Sequence, residues 1–140
     1  MRLLLLLLSI SILFACSSKS NEELIVGEWK MEGFDLSEAD TSVGERQREV
    51  MEGFSNKDGG LILKFAADKT LQTVINANGR KFDMRGTYSL ADEGNTLVVQ
   101  MEEDQIEVDE ERSKIQSLSA DTLKLKVEQG VIIVYSRNPG

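Results

Sequence analysis

From residue 24 onward, hydrophobic and polar side chains alternate in short runs separated by turn residues, the pattern of strands buried on one face. The cleanest run is Phe82, Met84, Gly86, Tyr88 and Leu90, with Asp83, Arg85, Thr87 and Ser89 between them. Upstream, Leu61, Leu63 and Phe65 share one face, and Asp68-Lys69 turns the chain into residues 70–75. A second turn follows at residues 76–79, where Asn78-Gly79 is a strong hairpin signal. Residues 24–34 hold a further alternating stretch, and Gly94-Asn95 leads into a strand over 96–101. Residues 106–119 contain one or two more. Leu123, Leu125 and Val127 alternate with lysines before Gln129-Gly130 turns the chain into its last strand. Roughly seven to nine strands joined by tight turns predict an antiparallel sandwich or a closed barrel. The exception is residues 36–56, where Val43, Val50, Met51 and Phe54 recur at helical spacing among charged residues. One amphipathic helix is expected there, inserted after the first strand, where it would plug or cover one mouth of a barrel.

The first residues follow a different rule. Arg2 precedes one apolar stretch over residues 3–14, too short for a stable membrane span and matching a signal peptide's charged and apolar regions. Leu13, Ala15 and Cys16, followed by Ser17 and Ser18, resemble the lipobox of bacterial lipoproteins, in which the cysteine is acylated. Cys16 is also the sole cysteine. The expected division is a signal peptide over 1–15, a lipid-anchored linker over 16–23 and a barrel domain over 24–140. Ser17, where an inner-membrane retention signal would place Asp, points to the outer membrane. Lipid chains on Cys16 would then hold the domain to the membrane.

Composition narrows the chemistry. The 140 residues carry 16 Lys and Arg against 24 Asp and Glu, a formal charge of −8, so the basic footprint of a nucleic-acid binder is missing. The chain has no His, which removes His-activated nucleophiles and His-ligated metals. A single Cys forms neither an internal disulfide nor a thiolate zinc cluster. Glu102, Glu103, Asp104, Glu107, Asp109, Glu110 and Glu111 place seven acids in ten residues. They lack the spacing and turn glycine of a calcium loop, so they read as a solvated hairpin. They also lack the contrast in environment that paired catalytic carboxylates need. No enzyme, metal or cofactor is expected, and the sequence names no protein partner.

The motif Gly27-Glu28-Trp29 in the opening strand resembles the Gly-x-Trp strand of the lipocalin superfamily. With Leu63-Lys64-Phe65, Gly86-Thr87-Tyr88 and residues 118–125, it is similar to the lipocalin-like domains of small Bacteroidetes-type lipoproteins. The resemblance implies an antiparallel up-and-down barrel of about eight strands with one short inserted helix. It implies that Gly27 allows close packing and that Trp29 covers the closed end.

Such a barrel is either filled by its own side chains or holds one small ligand. In a hollow barrel the inward set would include Leu63, Phe65, Phe82, Met84, Tyr88, Leu97, Val99, Leu123 and Leu125. The leading expectation is an envelope protein binding a small hydrophobic ligand. Its rival is a filled barrel acting through its outer surface as an inhibitor, adhesion or assembly factor.

Overall fold

Period-two alternation and short turns bring consecutive strands side by side, and the last strand returns to the first. The structure, a computed structural model, describes residues 18–54, 60–103, 106–107 and 110–139. A short helix α1 (Asn21–Ile25) leads into β1 (Gly27–Asp35), and α2 (Thr41–Phe54) follows. The remaining strands are β2 (Gly60–Phe65), β3 (Thr70–Ala77), β4 (Arg80–Ala91), β5 (Thr96–Glu103), β6 (Ile106–Glu107), β7 (Glu111–Leu118), β8 (Thr122–Lys126) and β9 (Ile132–Arg137).

The pairings run β4-β3-β2-β1-β9-β8-β7-β5, and a further β4–β5 ladder closes the ring. Eight antiparallel strands therefore form an up-and-down barrel, with the two-residue β6 appended to the end of β5. All of this closure lies within residues 20–138.

The strand directions give the barrel two unlike ends. One carries α1, the tight turns after β2, β4 and β7, and the C-terminal end of β9. The other, the mouth, carries α2, the Asn78-Gly79 turn and the connections after β5 and β8.

Residues 20–25 depart from the linker-then-strand expectation. Ser20 and Glu23 form a reciprocal capping box, and Asn21–Ile25 is helical. The Asn21 side chain donates to the Gly94 carbonyl at 2.8 Å, and Glu22 pairs with Lys69, which ties the helix to two turns of the closed end. A capped helix thus stands where the linker's end and the start of a strand are expected. Cys16 and the signal-peptide stretch lie outside the described residues.

The helix expected over 36–56 is shorter, Thr41–Phe54, and packs against β3. Glu38, just before it, pairs with Lys126 at the end of β8. In β1 a bulge between Met31 and Gly33 inverts the alternation. Phe34 therefore lies opposite Ile133, on the face that Met31 shares with Tyr135.

Candidate ligand-binding site

The interior is filled at one end and hollow towards the other. At the closed end Trp29 and Ile25 are fully buried, and the indole N–H donates to the Ile25 carbonyl at 2.8 Å. The Arg137 guanidinium lies over the indole, 4.2 Å from its centroid. It donates to the carbonyls of Val26 at 2.9 Å and Leu24 at 2.6 Å, and also to that of Ala120. A cation on an aromatic face and three capped carbonyls make this end a fixed floor. Gly27 permits it twice over. Its φ of +136° disfavours other residues, and a Cβ would overlap an Arg137 terminal nitrogen.

Tyr88 adds to the floor from β4. Its ring meets Phe65 edge-on at 4.9 Å, and its hydroxyl donates to the Ala66 carbonyl at 2.7 Å. Burial, the larger influence, raises its phenol above the ordinary range, although Lys69 nearby acts in the other direction.

Above this layer lies a cavity of about 350 Å³. Leu61, Leu63 and Phe65 of β2, Leu71, Thr73 and Ile75 of β3, and Leu97, Val99 and Met101 of β5 face it. Met84, Leu125, Val127, Ile133 and Tyr135 complete its apolar lining, joined by Ser113 and Glu111 of β7. The volume lies at the lower end of the roughly 300–1,000 Å³ usual for small-molecule sites.

Of the nine side chains expected to face inward, Leu63, Phe65, Met84, Leu97, Val99 and Leu125 line this cavity. Three do not. Tyr88 and Leu123 are buried, but they do not line the hollow. Phe82 is 50 % exposed, and Met84 itself 40 %. The reason is stagger: β4 pairs with β5 only from Arg85 onward, so among the described residues its first residues have a strand neighbour on the β3 side alone. Phe82 and Met84 form an apolar lip instead of a wall.

Sequence pattern alone places Glu111 with the solvated acids and passes over Ser113. Glu111 stands opposite Val99 and Ser113 opposite Leu97, so both lie on the cavity side of β7, Ser113 half-buried and Glu111 exposed at the mouth edge of the wall. Tyr135, 4 % exposed, has its phenol pushed well above the usual range, chiefly by burial and secondly by the Glu111 charge. These two are the titratable groups among the lining residues. Among the described residues neither is hydrogen-bonded to a nucleophile or a second acid. Among the described residues no group of three Asp, Glu, His or Cys side chains is placed to hold a metal ion. A larger concavity, about 820 Å³, lies outside the sheet between β1–β4 and the C-terminal residues, and Glu28, Lys64, Gln72, Arg85 and Glu102 make much of it polar.

No protein-family profile matches the chain, and no curated protein matches it. Solved structures do. A lipocalin-like protein from Bacteroides uniformis ATCC 8492 superposes with a TM-score of 0.56 at 15 % identity, covering 81 % of this chain and 97 % of that one. An uncharacterised protein from Bacteroides eggerthii DSM 20697 gives 0.54 at 13 %, covering 81 % and 98 %. At such identities the likeness concerns the backbone arrangement, and on that ground the chain has the lipocalin-like fold, a closed eight-stranded antiparallel barrel with a short helix.

Proposed function

We propose that this protein is a lipid-anchored binding protein of the cell envelope whose barrel holds or carries a small hydrophobic ligand without transforming it. The observation that carries this reading is the 350 Å³ cavity, lined mainly by apolar side chains above a clamped floor. A filled barrel acting through its outer surface would place side chains where this hollow lies. The described large hydrophobics that are exposed, Val50, Phe82 and Met84, form no broad patch, and two of them rim the cavity.

In this reading Cys16 carries the lipid and the outer membrane is the residence. Three residues lie between Cys16 and Ser20, a reach of at most roughly 14 Å over four steps of chain. The α1 cap at Ser20 sits at the closed end. Strands of about eight residues put the mouth roughly 25 Å from that end. The mouth therefore faces away from the membrane holding the lipids, and ligand arrives from the aqueous side or from a partner.

The experiment has two arms. Fatty alcohols, isoprenoids and aromatic pigments are screened by thermal shift against residues 17–140. A ligand at a hundred times its Kd should stabilise the fold by about 2.7 kcal/mol. Ser113→Phe, which places a ring inside the cavity, should abolish that shift while the protein stays folded by circular dichroism. No stabilising compound, or binding that survives Ser113→Phe, would overturn the carrier reading. In cells, Cys16→Ala should release the domain from carbonate-washed membranes, and retention would overturn the anchor.

A further inference from the structure

We infer that the cavity prefers an apolar ligand whose head is a hydrogen-bond-donating cation, such as a long-chain amine, and disfavours a carboxylate. This deepens the carrier reading and rests on it.

On β7 the inner face carries Glu111, Ser113 and Ile115, from the mouth towards the floor, whereas Arg112 and Lys114 alternate outward. On β4, Arg85 borders the outer concavity, and among the described residues no Lys or Arg lines the cavity. The one formal charge on its wall is therefore negative. Glu110, the preceding residue, is engaged with Arg112 at 2.9 Å, while among the described residues Glu111 has no ion-pair partner. Tyr135 adds a neutral hydroxyl-bearing ring on the same wall, close enough for the Glu111 charge to bear on its phenol.

An alkyl chain would occupy the aliphatic part, leaving its head at the level of Glu111 and Ser113. An ammonium there gains a charge-assisted hydrogen bond at the boundary between the apolar wall and water. A carboxylate there faces a like charge with no cation to neutralise either.

Decylamine, decanol and decanoate are compared by titration calorimetry at neutral pH, using residues 17–140. Decylamine should bind about tenfold or more tighter than decanoate, with decanol between them, tenfold being about 1.4 kcal/mol. Glu111→Gln should bring amine and carboxylate to within about threefold while leaving decanol unchanged. Glu110→Gln removes the same charge one residue away, on the outward side, and should leave the ratio intact. Decanoate binding as tightly as decylamine would overturn the inference. So would equal effects of the two substitutions, which would trace the preference to the overall charge of −8. If decanol binds and the preference is absent, only this inference fails. If none of the three probes binds, the carrier reading falls with it.

Discussion

Arg137→Ala removes the clamp beneath the cavity, and its cost follows from what the guanidinium holds. Three carbonyls, those of Leu24, Val26 and Ala120, lose a charged donor, and the Trp29 indole loses the cation lying 4.2 Å from its centroid. Hydrogen bonds to charged groups contribute about 1.5–3 kcal/mol each, and a cation–π contact about 0.5–2. Arg137 is only half-buried, so water reaches part of the vacated space and the combined loss is discounted to about 3 kcal/mol. For a domain of about 120 residues this lowers the Tm by roughly 12 °C. The chain has one Trp, so urea unfolding followed by its fluorescence reports from the perturbed floor itself. Circular dichroism supplies the global probe. Arg137→Lys keeps the charge without the planar fork and should recover about 1 kcal/mol. A loss below about 1 kcal/mol for Arg137→Ala, with unchanged m, would refute the reasoning, because solvent would then serve the three carbonyls as well as the guanidinium does.

Two further outcomes test the walls of the barrel. Gly86→Ala should cost about 1–3 kcal/mol, because a Cβ there overlaps the Gln100 carbonyl oxygen and comes within 2.9 Å of Met101 Cα. Gly60→Ala, which meets nothing within 4 Å, should change the urea midpoint little, and equal effects at the two positions would contradict the close approach of β4 to β5. Tyr135 has a native phenol pKa raised mainly by burial, so the unfolded chain releases that proton first as pH rises. Its contribution is therefore complete below about pH 10 and lost above it, by about 1.4 kcal/mol per pH unit until the native phenol itself ionises. Phenolate absorbance assigned by Tyr135→Phe should appear together with unfolding; ionisation of Tyr135 in the folded protein near pH 10 would contradict the burial.

Much of the barrel was legible along the chain because its strands obey a period of two and its turns use Asn, Asp and Gly. The β4 alternation and the Asn78-Gly79 turn needed no partner to be read. The capping box at Ser20 and Glu23 is also a local signal, yet it lies beside the apolar Leu24 and Ile25, which suggest an earlier strand start. Its role became visible only once Asn21 and Glu22 were seen to reach Gly94 and Lys69, 73 and 47 residues away.

The site was less legible, for a physical reason. Alternation assigns residues to a face, but it does not say how far along the barrel each one sits, nor where a strand outruns its neighbour. Tyr88 belongs to the floor and Phe82 to an exposed lip, though both share the face of Met84. The bulge after Met31 moved Phe34 to the inner face, against a strict count from Trp29. Glu111 was indistinguishable from six acidic neighbours until its pairing with Val99 placed it on the cavity side of the mouth edge.

The sequence by itself indicated roughly seven to nine short strands joined by tight antiparallel turns and a Trp-bearing first strand, because each depends on residues close together in the chain. Only the tertiary structure decided that the interior is half filled and half hollow, and that one carboxylate stands on its wall. Both depend on stagger and closure, which bring together strands that no local pattern relates.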